Sequence, residues 1–230
     1  MKLAAYTCNF GNYRNDISAF NALTKDDLDP QIDYYFFTDN KNMTSSEWKI
    51  IYTPLIPSDK EIITSDRLTS KHIKFIPPAI LDTYDILIWI DCKQLSNKIT
   101  YKNIIKLLEK YPDYDIFNLQ HPERKSIQEE IEFTIKTEVE NKEHGEKFLK
   151  KVSDFKSPFT LPETCIIILK NTTSNKDVFN HCYTLINTYK LKRDQNIYNY
   201  AFYEKNKIPL ILPTIPILLN NSQLLPKTLL

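Results

Sequence analysis

One sequence feature limits most strongly what this chain can fold into. It is an uninterrupted apolar run that ends on a carboxylate, Asp85-Ile-Leu-Ile-Trp-Ile-Asp91. Residues 86–90 show no polar alternation, which is typical of a strand covered on both faces in an α/β sheet. An aspartate at the carboxyl end of such a strand lies where open α/β sheets place their ligand crevice. Asp91 can hold a metal ion or a sugar hydroxyl there, or it can cap a turn, and the segment alone leaves these alternatives open.

Other apolar runs alternate with helical patterns along the chain. Strands are predicted at residues 3–8, 33–38, 48–52, 114–119 and 163–169, and helices at 16–23, 65–75, 102–110, 177–189 and 194–203. Residues 126–151 are predicted to form a long exposed helix or a helix pair broken near Gly145. This alternation favours one α/β domain over residues 1–230, with a mostly parallel sheet and helices on both faces. The proline-containing tail 208–230 is expected to add one short strand and an extended segment that packs on the domain, closes the site or forms a dimer contact.

Composition excludes several classes of function. A net charge of +1 gives no support to a nucleic-acid surface, which depends on clustered cations. The two glycines, Gly11 and Gly145, exclude a glycine-rich phosphate loop. The four cysteines form no Cys-x-x-Cys pair, and scattered free thiols favour a reducing, cytoplasmic location. We expect neither a signal peptide nor a transmembrane segment, because no apolar stretch is long enough.

Polar residues follow several predicted strands or begin predicted helices. Arg67 and Lys71 lie four residues apart on one helical face, where they can neutralise a diphosphate or form a solvated basic face. Arg193-Asp194-Gln195 begins a predicted helix, whose dipole would keep the carboxylate ionised as a general base requires; the alternative is an ordinary N-cap. His121 follows a strand and can bind an acceptor hydroxyl or a phosphate, or finish a turn. Glu163 reaches the crevice only if its strand is antiparallel.

Seven motifs, taken in order, resemble one known family over residues 3–204. They are Tyr6-Thr-Cys-Asn-Phe-Gly11-Asn-Tyr13, Asp33-Tyr-Tyr-Phe-Phe-Thr-Asp39, Arg67 with Lys71, Trp89-Ile-Asp91, His121-Pro-Glu-Arg124 with Glu129-Glu130, Leu161-Pro-Glu163-Thr-Cys-Ile-Ile-Ile168 and Arg193-Asp-Gln195. The chain resembles the glycosyltransferase-like family, long labelled a domain of unknown function, that includes plant mucilage-related, bacterial and viral members. That family is similar to GT-A glycosyltransferases, which bind a nucleotide-sugar on a Rossmann-like sheet.

The resemblance implies transfer of a sugar from a nucleoside-diphosphate sugar to a hydroxyl of a glycan or another acceptor. The donor residues are then Tyr6, Thr7, Asn9, Tyr13, Arg14, Asp39, Arg67, Lys71, Asp91 and Lys93, and the acceptor residues are His121, Glu163, Arg193 and Gln195. The catalytic candidates are Asp91 and Asp194, with Asp194 as the base of an inverting route. A retaining route needs no such base, and the sequence does not decide between the two.

The resemblance also implies a metal site, because GT-A enzymes use an Asp-x-Asp motif to hold Mn²⁺ or Mg²⁺ on the diphosphate. Asp91 stands at that motif, but the second aspartate position is Lys93. One carboxylate is a poor ligand set for a hard cation. Either Asp91 holds the metal together with the diphosphate and waters, or Lys93 supplies the positive charge directly.

Two other functions are weighed against glycosyl transfer. A lipid amidase-like hydrolase is disfavoured by the isolated histidines and by the lack of a Gly-x-Ser-x-Gly motif. A module that binds a nucleotide-sugar or a glycan without catalysis is compatible with Lys93.

Overall fold

A single seven-stranded sheet organises the computed structural model, which describes residues 1–11, 17–58, 63–95 and 99–213. The strands are β1 (Leu3–Asn9), β2 (Ile32–Thr38), β3 (Lys49–Tyr52), β4 (Ile86–Ile90), β5 (Ile116–Gln120), β6 (Pro162–Lys170) and β7 (Leu210–Leu212). They lie in the order β3-β2-β1-β4-β6-β5-β7. Strand β6 is antiparallel to its neighbours β4 and β5, and the remaining pairs are parallel, as the sequence predicts for most of the sheet. The carboxyl ends of the parallel strands and the amino end of β6 therefore share one edge, here called the carboxyl edge.

The described residues contain seven α-helices. These are α1 (Ile17–Asn21), α2 (Ser65–Phe75), α3 (Tyr101–Lys110), α4 (Ile127–Lys136), α5 (Lys142–Lys151), α6 (Thr173–Tyr189) and α7 (Tyr198–Glu204). None of them is both long and apolar enough to cross a lipid bilayer.

The polar stretch 126–151 forms a helix pair, but the predicted position of its break is wrong. Helix α4 ends where Glu138 adopts a left-handed φ of 57°, and the Asn141 side chain caps α5 by accepting a hydrogen bond from the His144 backbone N–H. Gly145 lies inside α5, where an added Cβ would come within 2.7 Å of Ile135 Cγ1. This glycine allows close packing of the two helices and does not end either of them.

Helices cover both faces of the sheet. Helices α2, α4, α5, α6 and α7 pack on one face, and α1 and α3 pack on the other. Side chains of β4 alternate between the two layers, with Trp89 on the first face and Ile88 and Ile90 on the second. Each fully buried side chain of this size contributes roughly 1.5–3 kcal/mol. The prediction that this strand is covered on both sides is confirmed.

The tail begins as predicted, because β7 pairs in parallel with β5 at the sheet margin. The rest of the tail, residues 214–230, lies outside the described residues, and the prediction that it packs on the domain stays a prediction.

Candidate functional site

A cleft of about 160 Å³ opens at the carboxyl edge, beside the ends of β1 and β4. Helix α2 and residues 192–194 form its other walls. The described residues that line it are Cys8, Asn9, Phe10, Asp66, Arg67, Ser70, Lys71, Lys74, Trp89, Asp91, Cys92, Lys93, Val139, Lys192, Arg193 and Asp194. Six of these side chains are cationic and three are carboxylates, an excess of three positive charges among the described residues.

Helix α2 supplies three of the cations from one face. Arg67, Lys71 and Lys74 follow the i, i+4, i+7 spacing that places residues on one side of a helix. Ile73 and Phe75 face the hydrophobic layer instead. Sequence reasoning found the first two cations and missed Lys74, although the same spacing extended by one turn would have included it.

Asp194 joins the two lysines of this face. Its Oδ1 lies 3.3 Å from Lys71 Nζ, and its Oδ2 accepts hydrogen bonds from Lys74 Nζ and, at 3.0 Å, from Thr164 Oγ1. The predicted helix start at residue 194 is wrong, since α7 begins at Tyr198. The Asp194 side chain therefore does not cap a helix, and lysines, not a helix dipole, stabilise its charge.

The ionisation of this cluster follows from burial opposed by neighbouring charges. Burial alone would raise the pKa of Asp194, but the charges of Lys71 and Lys74 together hold that pKa well below its ordinary value. Burial would lower the pKa of Lys74, yet Asp194 and then Asp91 raise it. Burial dominates at Lys71, whose pKa is lowered. These lysines thus favour the ionised form of Asp194, and a carboxylate with so low a pKa is a weak general base.

Asp91 extends from the end of β4 into the cleft. Its Oδ1 accepts a hydrogen bond from Trp89 Nε1 at 2.8 Å and lies 3.6 Å from Lys74 Nζ. A short 3₁₀ turn follows Asp91, but only the Asp91 backbone carbonyl bonds to it, and the side chain makes no capping hydrogen bond. The alternative in which this carboxylate caps a turn is therefore wrong.

Arg193 is held in the cleft wall by a buried acidic residue of α4. Its guanidinium donates to Glu130 Oε1 at 3.4 Å and to the side-chain oxygen of Gln195. Glu130 is fully buried and also accepts from Arg124 Nε. His121 completes this group, with its Nε2 at 3.0 Å from Arg124 Nη2. Three of the four predicted acceptor residues thus lie in or beside one network, but only Arg193 lines the cleft.

A second buried carboxylate holds the backbone of the same wall. Glu140 accepts hydrogen bonds from the backbone N–H groups of Lys192 and Arg193, at 2.9 and 3.1 Å. The Asn196 side chain donates to the same Glu140 oxygen at 3.2 Å. The turn between α4 and α5 therefore fixes residues 192–196, a role that nothing in the local sequence pattern predicted.

Glu163, the fourth predicted acceptor residue, lies at the carboxyl edge. Strand β6 is antiparallel, and this is the direction in which Glu163 was predicted to reach the crevice. The Glu163 side chain hydrogen-bonds the Cys165 thiol, whose pKa is raised by burial and by the Glu163 charge. Glu163 does not line the described part of the cleft.

The predicted donor residues divide into four groups. Asn9, Arg67, Lys71, Asp91 and Lys93 line the cleft, and Lys93 is exposed at its rim.

Two others, Tyr6 and Thr7, are buried in the sheet. Tyr6 donates a hydrogen bond to the Lys74 carbonyl at 3.1 Å and packs edge-on against Trp89. The prediction that Tyr6 and Thr7 contact the ligand directly is therefore wrong. Successive side chains of β1 point into opposite layers of the protein, and both layers are buried.

Asp39 supports the loop after β1. It accepts a hydrogen bond from the Gly11 backbone N–H at 3.1 Å, where Gly11 has a left-handed φ of 60° that favours glycine. Asp39 does not line the described part of the cleft. The predictions for Tyr13 and Arg14 lie outside the described residues.

The described residues do not fit a metal ion held by the protein alone. No group of three His, Cys, Asp or Glu side chains within residues 1–11, 17–58, 63–95 and 99–213 is arranged to bind one. Asp91 also has a cationic neighbour, Lys74, close to the oxygen that Trp89 already occupies. A hard divalent cation prefers several oxygen ligands.

Two solved structures of similar fold are those of glycosyltransferases. The chain aligns with the apo structure of WbbM, a bifunctional glycosyltransferase, with a TM-score of 0.51 and 12% identity, covering 93% of this chain and 38% of that one. It aligns with apo mouse xyloside xylosyltransferase 1 with a TM-score of 0.51 and 11% identity, covering 92% and 85%. No family model matches the sequence, and no curated protein matches it.

The strand order and these structural neighbours confirm the GT-A fold: a single α/β domain with a mostly parallel sheet between two layers of helices. At such low identity the likeness concerns the fold. The finer resemblance, to the family that includes the plant mucilage-related members, stays a prediction.

Proposed function

We propose that this chain is a glycosyltransferase that takes its sugar from a nucleoside-diphosphate sugar. The concentration of cations in the cleft carries the proposal. The whole chain has a net charge of only +1, yet the described part of the cleft alone has an excess of three positive charges. A diphosphate is an anion of matching sign, and a GT-A sheet presents its ligand crevice at this edge.

In this proposal the cations act on the leaving group. When the bond to the anomeric carbon breaks, negative charge accumulates on the departing nucleoside diphosphate. Fixed charges that already point at that position lower the barrier without reorganising. Lys71 and Lys74 are fixed by Asp194, and Arg193 is fixed by Glu130, so these three cations are held in place before the donor binds.

Asp91 is proposed to orient the transferred sugar. Its Oδ1 is occupied by Trp89 Nε1, and its side chain is 32% exposed toward the cleft, so Oδ2 can accept a hydrogen bond from a sugar hydroxyl. The bond from Trp89 holds the carboxylate in one orientation.

Asp194 is proposed to act as a counter-ion that positions the lysines. A carboxylate bound by two lysines and a threonine hydroxyl has little tendency to take a proton from an acceptor. Glu163 is then the remaining candidate on the acceptor side. Gln195 is proposed to position Arg193 directly, and His121 to position it through Arg124 and Glu130.

A panel of nucleotide-sugars tests the proposal by calorimetry and by chromatographic detection of donor hydrolysis. We expect one donor to bind and to be hydrolysed slowly, and Asp91→Asn to lower turnover at least about tenfold, about 1.4 kcal/mol, while leaving binding nearly unchanged. The matched control is Asp177→Asn, an aspartate on α6 outside the cleft.

Two outcomes separate the alternatives. Binding of a donor with no turnover in the presence of any tested acceptor would favour a binding module without catalysis. Failure of every donor to bind would contradict the proposal.

A further inference from the structure

We propose that the donor diphosphate binds without a divalent cation, because the ammonium group of Lys74 takes the place beside Asp91 that such a cation would occupy. The inference rests on the proposed function and specifies that side-chain cations, not a metal, neutralise the diphosphate. It concerns Lys74, not the exposed Lys93 that follows Asp91 in the sequence.

The position of Lys74 is fixed from several sides. Its Nζ lies 3.6 Å from Asp91 Oδ1 and hydrogen-bonds Asp194 Oδ2. It also lies 5.5 Å from the centre of the Trp89 ring, on which a cation is favoured. Its side chain is only 5% exposed. If this buried ammonium moved into solvent, Asp194 and Asp91 would each lose a contact with it.

The charge balance of the inner cleft disfavours a second cation at Asp91. Lys71, Lys74, Asp91 and Asp194 together have no net formal charge. A divalent ion bound to Asp91 would lie next to the Lys74 ammonium, and like charges that close together repel each other.

Besides Lys74, the cleft has further cations that can contact a diphosphate. Among the described lining residues these are Arg67, Lys93, Lys192 and Arg193; Asp66 is a carboxylate of the same lining, and Glu130 pairs with Arg193 from behind the wall. Two arginines in this set suit phosphate oxygens, because the guanidinium fork matches them in a bidentate geometry. Side chains thus supply the charge that a metal supplies in an Asp-x-Asp site.

The first experiment measures calorimetric binding of uridine, guanosine, cytidine and adenosine diphosphates and of inorganic pyrophosphate to the full chain. Each ligand is titrated in EDTA and again with Mn²⁺ or Mg²⁺. We expect at least one ligand to bind in EDTA, with an affinity within about threefold of its affinity with metal. Binding that appears only with metal, or weakens more than about tenfold in EDTA, would overturn this inference and leave the proposed function intact. No binding under any condition would overturn both.

The second experiment removes the ammonium group. Lys74→Met should weaken binding in EDTA at least about tenfold, and Mn²⁺ should restore part of the loss, because Asp91 is then free to bind the metal. A purely structural role of Lys74 would not create this metal dependence.

Two further variants keep the second experiment decisive. The double variant Lys74→Met/Asp194→Asn removes both charges of the buried pair, so Asp194 is not left buried as a charge that has lost Lys74. If the single variant does not fold, the double variant tests the same gain of metal dependence. Lys102→Met, on the helix layer of the opposite face, is the matched control and should bind as the wild type does. Unchanged binding in EDTA by a folded variant that lacks Lys74 would overturn the inference.

Discussion

Two lysine–aspartate pairs lie at opposite edges of the same sheet, and burial is what distinguishes them. At the carboxyl edge the side chains of Lys74 and Asp194 are 5% and 12% exposed. At the amino edge the side chains of Lys49 and Asp33 are 52% and 47% exposed, with Nζ and Oδ1 2.6 Å apart. Both pairs are in contact, so distance alone does not separate them. Their surroundings decide what each contact contributes.

The surroundings of the two pairs differ in kind. Around Asp33 the second partner is the Tyr84 hydroxyl, at 2.8 Å, and water reaches both charges. Around Asp194 the further partners are Lys71, whose side chain is 12% exposed, and the hydroxyl of the buried Thr164. Burying charges costs free energy that a pair rarely recovers in full. A buried cluster of charges with shifted pKa values in a cleft therefore indicates a functional site, whereas the amino-edge pair is an ordinary surface contact.

The largest expected effect comes from removing the carboxylate of each pair. Asp194→Ala leaves the buried Lys74 and the half-buried Lys71 without their shared partner, and we expect the free energy of unfolding to fall by about 3–5 kcal/mol. Asp33→Ala should lower it by no more than about 1 kcal/mol, because solvent screens that pair. Urea unfolding followed by circular dichroism measures both. Equal losses in the two variants would show that burial does not control the difference.

A buried carboxylate outside the cleft sharpens the comparison. Glu130→Gln keeps the shape of the side chain but removes the charge that holds Arg193 and Arg124, so we expect a loss of about 1.5–3 kcal/mol in stability. Donor binding should also weaken, because Arg193 loses its anchor. The matched control is Glu132→Gln, the same substitution on the exposed side of the same helix. If Glu130→Gln changed stability but left donor affinity at the wild-type value, Arg193 would have no role in the cleft.

The sequence predicted the strands and helices around the two pairs well, but it did not predict the contact between Lys74 and Asp194. The end of β4, the helical face of Arg67 and Lys71, and the mostly parallel sheet follow from apolar runs and helical spacing, which are local properties. The bond between Lys74 and Asp194 joins residues 120 positions apart, and no local pattern encodes such a partner.

The same limit explains the two wrong predictions near the site. Asp194 was expected to begin a helix because its local pattern resembles an N-cap, but long-range lysines take its side chain and α7 begins at Tyr198. Tyr6 was expected to contact the donor because the resemblance to the glycosyltransferase-like family implied it. Helices cover both faces of β1, so the Tyr6 side chain is buried instead.

Lowering the pH should give the next largest effect, because the two pairs should lose different amounts of their contribution to the free energy of unfolding. Burial opposes ionisation of Asp194, but Lys71 and Lys74 outweigh it and hold its folded-state pKa well below the ordinary value of 3.8. The unfolded chain therefore binds the proton more readily, so the stabilisation is fully present above pH 3.8 and is lost as the pH falls toward the folded-state pKa. In that window the difference in unfolding free energy between the wild type and Asp194→Asn should shrink by up to about 1.4 kcal/mol per pH unit.

The acid experiment has an internal comparison. The pKa of Asp33 is also lowered, first by its hydrogen bond to Lys49, so Asp33→Asn should show a change of the same sign. That change should be smaller, since solvent screens the exposed pair. Urea unfolding at steps from pH 6 to pH 3 measures both differences. A difference for Asp194→Asn that stays constant throughout would mean that its pKa is equal in the folded and unfolded states.

Salt should produce the smallest effect, and it tests screening directly. Double-mutant cycles with Lys49→Met and Asp33→Asn, and with Lys74→Met and Asp194→Asn, give the coupling free energy of each pair. Raising the ionic strength from 0.1 M to 1 M shortens the Debye length from about 10 Å to about 3 Å. The coupling at the amino edge, at most about 1 kcal/mol, should fall toward zero, because ions reach both of its charges. The coupling at the carboxyl edge should keep most of its value, since the same ions have little access to a lysine whose side chain is 5% exposed. Equal proportional losses at both edges would mean that water and ions penetrate the cleft freely, and the cations that we assign to the diphosphate would then be weak, screened charges.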